Sequence, residues 1–205
     1  MMQMVHSRFN ALLSACVLSL IATAGWSQSL TWLGTLPGYY RSSASGVSAD
    51  GSVVVGWAEN AAGQWRAFRW ENGVMQDLGT LPGGNWSEAW GVSADGAVVV
   101  GGAQNANQQW RAFRWTASSG RMEDLNTTYA SLLTNGSALR EARAISPNGR
   151  YIVGVGYNAA TERTEAFLLD TTGRPPCTLD GDLNGDRVVD DADLLILLFN
   201  FGSGG

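Results

Sequence analysis

The chain has 205 residues, 45% hydrophobic and 15% charged, a composition that excludes a disordered protein and fits one modest domain with small appendages. The formal net charge of −5 lies in residues 177–205, which carry six aspartates and one arginine, while the remainder is neutral. A neutral body offers no phosphate-binding surface, so a nucleic-acid partner is not expected. The 26 glycines and nine tryptophans favour β-structure with many turns.

Residues 1–28 have the pattern of a signal peptide, with Arg8 in the basic region and an apolar stretch over residues 9–23. Ala22-Thr23-Ala24 fits a cleavage site, and Gly25-Trp26-Ser27 is a second option. Cys16 ends a sequence that resembles a lipobox, so lipidation there is an alternative. The stretch is too short for a membrane span. We therefore expect a secreted, extracellular or cell-surface protein without a transmembrane segment.

The histidine and cysteine content limits the chemistry. His6, the single histidine, lies in the signal peptide, and Cys177 is the one cysteine beyond it. The processed chain therefore excludes Ser-His and Cys-His nucleophile systems and an internal disulfide. We find no phosphate-binding loop or zinc pattern, and no enzymatic activity is expected.

Internal repeats dominate residues 29–170, the main domain. The segment from Gly46 to Gly56 recurs 45 residues later as 91–101, with only Ser52 replaced by Ala97. Segments 65–70 and 33–38 recur as 110–115 and 78–83 at the same offset. A third, more divergent copy spans Ala144 to Gly154 and Glu165 to Leu169. This self-similarity indicates a repeat architecture.

Each repeat predicts four short antiparallel strands, which in the first copy are Ala44–Ser48, Val53–Trp57, Arg66–Trp70 and Val74–Leu78. An Asp-Gly turn separates the first two strands, and a valine run fits a strand buried on both faces. Four strands in about 45 residues is the pattern of a propeller blade. The fold class is therefore all-β, a propeller-like array of three four-stranded repeats followed by a small C-terminal calcium loop and helix.

The third copy lacks a clear fourth strand, while Leu30–Leu36 matches the fourth-strand motif ahead of any first strand. We consider that this segment completes the last blade if the array closes. Propellers usually need about four to eight blades. Three repeats therefore form either a compact three-sheet body or half of a two-chain ring.

The Gly-Val-Ser-x-Asp-Gly-x-Val-Val-Val-Gly run, the Ala-Phe-x-Trp motif and the Asp-Leu-Gly-Thr-Leu-Pro-Gly motif resemble HAF-type extracellular repeats of secreted bacterial proteins. The resemblance covers about residues 30–170. Arg66 and Arg111 occupy the position of the family's histidine. The resemblance implies an extracellular repeat protein and carries over no catalytic residues.

A linker over residues 171–177 leads to an acidic C-terminal segment, residues 178–205. Within it, oxygen-bearing residues recur at positions 1, 3, 5, 9 and 12 of a twelve-residue loop, with a backbone carbonyl at position 7. Because calcium takes six to eight oxygen ligands, this spacing predicts a Ca²⁺ site. The predicted ligands are Asp182, Asn184, Asp186, Asp190, Asp193 and the carbonyl of Val188.

Residues 182–201 resemble a type I dockerin, a calcium-binding module in which a helix follows the loop. The resemblance implies calcium binding and, as one possibility, a cohesin partner. Arg187 replaces the family's glycine at position 6, and the chain holds one loop where dockerins hold two. The apolar run from Leu194 to Phe199 predicts a helix that must be covered. Residues 191–201 are therefore a candidate surface for a protein partner.

Aromatic side chains supply the remaining candidate site. Trp86 and Trp90 lie near a Gly-Gly-Asn turn and are the candidate ligand-binding residues, with polysaccharide as the ligand class. The repeated tryptophans at 65 and 110 and at 70 and 115 are interpreted first as packing residues. Asp50 and Asp95 are interpreted as turn residues rather than catalytic carboxylates.

Two functions follow. The first is a secreted, non-catalytic interaction protein that a calcium-dependent C-terminal module attaches or sorts. The alternative is an accessory protein of polysaccharide degradation that docks on a cohesin scaffold.

Overall fold

The structure, a computed structural model, describes residues 28–172. Contacts divide the chain into two units, Met1–Trp32 and Leu33–Gly205. In the first unit, residues 28–32 have no regular secondary structure, and the side chains of Leu30 and Trp32 are exposed. The signal-peptide prediction concerns residues 1–28 and lies almost wholly outside the described residues. All strands described below belong to the second unit.

Three antiparallel sheets follow one another along the chain. Sheet 1 has the order β1-β2-β3-β4, sheet 2 the order β5-β6-β7-β8, and sheet 3 the order β9-β10-β11. The strands are β1 Tyr39–Val47, β2 Val53–Asn60, β3 Trp65–Glu71, β4 Val74–Asp77, β5 Ser87–Val92, β6 Val98–Gln104, β7 Trp110–Thr116, β8 Met122–Asp124, β9 Ala138–Ile145, β10 Tyr151–Asn158 and β11 Arg163–Asp170. A short helix, α1 (Leu125–Thr128), and a 3₁₀ turn at Ala130–Leu132 connect β8 to β9.

The predicted all-β fold and the strands of the first repeat are confirmed. Sheets 1 and 2 have the expected four strands, while sheet 3 has three strands within residues 28–172. The predicted burial on both faces is confirmed for β6, where the adjacent Val99 and Val100 are both buried. In β2, Val53 and Val55 are buried on one face, and Val54 between them is half-buried. The sequence did not predict α1 or the 3₁₀ turn.

The same hydrogen-bonded turn joins the first two strands of every sheet. In sheet 1, the Ser48 hydroxyl donates to Asp50 Oδ1 at 2.7 Å and accepts from the Val53 amide at 2.9 Å. Ser93 and Asp95 repeat this arrangement, and Ser146 and Asn148 repeat it in sheet 3. Gly51 has a φ of 75°, a conformation that glycine adopts readily. The turn role predicted for Asp50 and Asp95 is confirmed.

A glycine at the centre of each second strand lets the neighbouring strand bulge towards it. A Cβ on Gly101 would lie 1.9 Å from the Glu88 carbonyl oxygen, and a Cβ on Gly56 would lie 2.0 Å from that of Ser43. The pairing register shifts beside each of these glycines, as it does beside Gly154 in sheet 3. The repeated glycines are therefore required by backbone packing.

The sheets pack face to face: the front of sheet 1 lies against the back of sheet 2, and the front of sheet 2 lies against the back of sheet 3. Val53, Val55 and Ala67 on the front of sheet 1 share a core with Val99 and Phe113 on the back of sheet 2. A second core joins sheets 2 and 3 through Val100, Ala112, Leu125, Leu139, Ala142, Ile152 and Leu169. Burial of apolar area between sheets is the main stabilising term, because a single sheet of this size would leave one face in water.

Polar contacts between the turns set the spacing of the sheets. The Ala49 amide donates to the Ala94 carbonyl at 3.1 Å, and the Ala94 amide donates to the Pro147 carbonyl at 2.9 Å. Pro147 occupies the same motif position in sheet 3, and proline has no amide hydrogen to continue the series. Arg69 adds a contact from sheet 1 to the Gly96 carbonyl at 3.1 Å.

The segment Leu30–Leu36 does not complete sheet 3. Residues 28–36 form no strand, and Leu36 is buried against Ala58 and Phe68 on the back of sheet 1. Leu81, 45 residues later, is buried in the same way between sheets 1 and 2. The physical reason is that the leucine of the Leu-Pro-Gly motif packs on the back of the sheet that follows it in the chain. This packing leaves it unable to form a strand of sheet 3.

Candidate functional site

A groove lined by tryptophan and arginine lies where sheet 2 meets sheet 3. Its cavity of about 280 Å³ is lined by Gln109, Trp110, Arg111 and Arg140. Trp110 and Arg111 belong to β7 and Arg140 belongs to β9, so two sheets build the site. Arg111 is held in place because its Nη2 donates to Gln109 Oε1 at 2.7 Å and its Nη1 to the Trp110 carbonyl at 3.2 Å.

Trp90 extends this groove along β5. A Cβ on Gly102 would lie 2.9 Å from Trp90 Cη2 and 3.1 Å from Trp110 Cε3, so both indole rings cover this glycine. The guanidinium carbon of Arg143 lies 5.3 Å from the centre of the Trp90 ring, within the range of a cation–π interaction. Both tryptophans are half-buried, which leaves part of each ring open to a ligand. We call Trp90, Trp110, Arg111, Arg140 and Arg143 the tryptophan–arginine groove.

Two carboxylates border the groove. Glu141 accepts from Arg143 Nη2 at 2.5 Å and from Nε at 2.9 Å, which fixes the guanidinium over Trp90. Burial raises the pKa of Glu88, and repulsion by Glu141 adds to this, while a hydrogen bond from Trp90 and the charge of Arg143 oppose it. The border therefore offers hydrogen-bond acceptors beside the aromatic faces.

A second aromatic cluster lies between sheets 1 and 2. The rings of Trp57 and Trp65 are stacked at 5.0 Å, and Trp86 is tilted against Trp65 at 5.1 Å. Arg41 covers the other end, 4.9 Å from the Trp57 ring centre. The Trp65 indole N–H is buried and has no hydrogen-bond partner among the residues described. This cluster is more self-contained than the groove, because its rings contact one another.

The sequence-predicted ligand residues are thus separated. Trp90 lies in the groove, while Trp86 packs into the second cluster, and neither placement tests ligand binding. The predicted packing role is confirmed for Trp115, which is 3% exposed in the core between sheets 1 and 2. Arg69 and Arg114 form ion pairs with acids of their own sheets, with Glu71 at 2.9 Å and with Glu123 at 2.8 Å.

Arg111, Arg140, Arg143 and Glu88 were not predicted as site residues, and Trp110 was interpreted first as a packing residue. A usable signal was present in the positions that break the 45-residue repeat. Ser45 is replaced by Trp90, and Trp57 by Gly102, so the second repeat moves its indole from the second strand to the first. Ser43 is replaced by Glu88 in the same way. The positions at which the second repeat differs from the first therefore mark the groove.

The predicted calcium ligands at 182, 184, 186, 188, 190 and 193 lie outside the described residues, as does the predicted helix 191–201. Within residues 28–172, no group of three or more metal-ligating side chains converges. The same region holds no helix that is long and apolar enough to cross a membrane.

The comparisons with known proteins give distant structural similarity alone. No family model matches the chain, and a search of curated proteins gave no match. Among solved structures, a putative TolB from Agrobacterium tumefaciens is similar, with a TM-score of 0.44, 17% identity, and coverage of 65% of this chain and 47% of that one. TolB from Acinetobacter baumannii gives a TM-score of 0.46 at 12% identity, covering 69% of this chain and 33% of that one.

A triple arginine-to-alanine mutant of AofleA from Arthrobotrys oligospora is also similar, with a TM-score of 0.37 and 15% identity over 66% of this chain and 41% of that one. The chain thus spans less than half the length of each of these three structures.

Proposed function

We propose that the protein is a secreted, non-catalytic binding protein whose propeller-like body holds a polysaccharide in the tryptophan–arginine groove. The observation that carries this proposal is the pair of half-buried rings, Trp90 and Trp110, which both lie over Gly102. Arg143 lies over the Trp90 ring, and Arg111 and Arg140 line the cavity beside Trp110. A sugar ring has an apolar C–H face that packs on an indole and hydroxyls that bind polar groups. Binding sites typically combine aromatic walls with a few polar groups in this way.

The groove contains three arginines, against the two carboxylates Glu88 and Glu141 at its border, and this excess of positive charge favours an acidic polysaccharide. Arg111 and Arg140 both line the cavity, and Arg140 is exposed. Arginine pairs with carboxylate or sulfate through two parallel hydrogen bonds, which a neutral sugar cannot offer. We therefore expect a uronic acid polymer to bind more tightly than a neutral glucan of similar length.

Affinity electrophoresis of the secreted chain through gels containing polygalacturonate or a neutral β-glucan tests this proposal. We expect retardation by polygalacturonate, and Trp110→Ala and Arg140→Ala each to weaken it at least tenfold. Arg140 is exposed, so its loss should not affect folding, and Tyr40→Ala, at a residue 62% exposed on β1, serves as the control. Equal retardation of the original chain and Arg140→Ala would contradict the site. Release of new reducing ends would contradict the non-catalytic function.

A second element of the proposal is attachment through the C-terminal segment. The spacing of aspartates from Asp182 to Asp193 supports a calcium-dependent module, and docking on a cohesin scaffold is the alternative use of it. Calorimetric titration of calcium into the secreted chain should give one site that Asp182→Ala abolishes. If the titration gives no heat, the C-terminal segment is not a calcium-binding module. That result does not affect the groove proposal, because the groove uses no metal.

A further inference from the structure

The outer edge of sheet 3 differs from the outer edges of the other two sheets. In sheet 1, β4 pairs with β3 so that Met75 lies opposite Trp70. In sheet 2, β8 pairs with β7 so that Met122 lies opposite Trp115. In sheet 3, no strand within residues 28–172 pairs with the outer edge of β11. This eight-residue edge carries backbone groups of the kind that pair with an added strand.

Sheet 3 has a cavity at the position that corresponds to Met75 in sheet 1 and Met122 in sheet 2. Met75 and Met122 each pack against the apolar core on the back of their own sheet. The corresponding region of sheet 3 contains a cavity of about 150 Å³, lined by Tyr129, Leu132, Leu133, Leu139, Phe167, Leu168 and Leu169. Leu169 occupies the motif position of Trp70 and Trp115, so the cavity lies beside the residue that a methionine would face.

The front of the same edge also changes from polar to apolar. In sheet 2, Arg114 of β7 pairs with Glu123 of β8, with 2.8 Å between Nη2 and Oε2. Leu168 occupies the position of Arg114 in sheet 3, and its side chain is 58% exposed. A strand added to β11 would therefore place an apolar residue, rather than glutamate, beside Leu168.

Sheet 3 is less suited to stacking a further repeat on its front face. Ala144 stands where sheets 1 and 2 have Gly46 and Gly91, at which the next sheet approaches closely. Pro147 also lacks the amide hydrogen that links the preceding turns. These two residues favour addition of a strand at the edge over stacking of a fourth sheet.

We propose that the outer edge of β11 accepts an extended strand from another protein chain. The strand carries a methionine- or leucine-sized side chain in the cavity opposite Leu169 and an apolar residue at the next position, beside Leu168. The methionine-sized side chain is inferred from Met75 and Met122 in the other two sheets. The apolar side chain at the next position is inferred from Leu168, which stands where sheet 2 has an arginine. The inference is independent of the groove and of the calcium loop.

Fluorescence anisotropy with labelled peptides of residues 72–80 tests the proposal on the secreted chain. We expect the Gln76→Leu peptide to bind at least tenfold more tightly than the same peptide with Met75→Asp added, because a carboxylate cannot enter the apolar cavity. The protein variant Leu168→Glu should weaken binding of the Gln76→Leu peptide at least tenfold. Val47→Glu, at a residue 59% exposed on β1, should leave binding unchanged.

Hydrogen exchange locates the bound peptide, since it could instead displace β4 from sheet 1. We expect new protection of amides within residues 163–170. No saturable binding, equal affinity for the Met75→Asp peptide, or protection confined to residues 65–71 would each overturn the proposal.

Discussion

At the scale of single residues, the repeated turn concentrates hydrogen bonds on one carboxylate. The Ser52 amide, the Ser48 hydroxyl and the Ser52 hydroxyl donate to Asp50 and lower its pKa from 3.8 to about 2. Asp95 has a lowered pKa for the same reason, with the Ser93 hydroxyl as the main donor. Arg150 holds the pKa of Asp170 well below its usual range.

These lowered pKa values predict loss of stability in acid. A carboxyl group whose pKa is lower in the folded state contributes stability above its unfolded pKa and loses it as the pH falls through the folded value. For Asp50 this window runs from about pH 4 down to about pH 2. Asp50→Asn should therefore reduce the acid-induced fall in the free energy of unfolding. Urea unfolding at pH 7 and pH 3 measures it.

Sheet 3 supplies the precedent for this variant, because Asn148 already makes the same turn with Ser146 at 2.6 Å. The variant should therefore fold at neutral pH. An identical pH dependence in Asp50→Asn and the original chain would contradict the role of this carboxylate.

Two glycines of sheet 2, Gly101 and Gly91, have different amounts of free space around them, so alanine should destabilise the fold to different extents at the two positions. The Cβ added by Gly101→Ala would lie 1.9 Å from the Glu88 backbone oxygen, which cannot move without breaking the strand pairing. We expect a loss of about 3 kcal/mol in the free energy of unfolding by urea. Gly91→Ala, with its nearest contacts at 3.1 Å, should cost about 1 kcal/mol. Equal costs would show that the neighbouring strands relax freely.

At the scale of elements, a single serine ties sheet 1 to the start of sheet 2. Ser87 is fully buried; its hydroxyl accepts from the Ala67 amide at 2.9 Å and donates to the Gly79 carbonyl at 2.6 Å. Ser42, at the equivalent repeat position, donates to the Gly34 carbonyl at 2.6 Å in an exposed setting. The two positions therefore separate the effect of burial from that of the hydrogen bond.

Ser87→Ala leaves a buried amide and a carbonyl without a partner and should destabilise the fold by about 1–3 kcal/mol. Ser42→Ala should cost less than about 0.5 kcal/mol, because water replaces the hydroxyl. Thermal unfolding of both variants at one pH compares them. A larger effect at Ser42 than at Ser87 would refute this explanation of the junction.

Most elements were predictable from the sequence, because Asp-Gly turns and valine runs carry their own local signals. The Leu30–Leu36 segment was misassigned since its motif spans both the end of a fourth strand and the connector that follows. Only packing shows that Leu36, like Leu81, belongs to the connector. The groove was only partly predictable, because Arg140 and Trp110 belong to different repeats and meet only when sheet 3 packs on sheet 2.

At the scale of the whole molecule, the three sheets form a series whose two ends differ. The back of sheet 1 is covered by the connector residue Leu36. The front of sheet 3 exposes Val153 and Leu168, at 41% and 58%. The net charge of the chain lies in residues 177–205, and the repeat body is neutral. Our proposal gives ligand binding to the repeat body and attachment to the C-terminal segment.

Nuclear magnetic resonance of the indole N–H groups tests the central claim, that the groove binds an acidic polysaccharide, most directly. We expect oligogalacturonate to shift the signals of Trp90 and Trp110, while that of the buried Trp115 stays in place. Signals that remain fixed at Trp90 and Trp110 up to saturating ligand, or shifts confined to other tryptophans, would contradict the assignment of the groove.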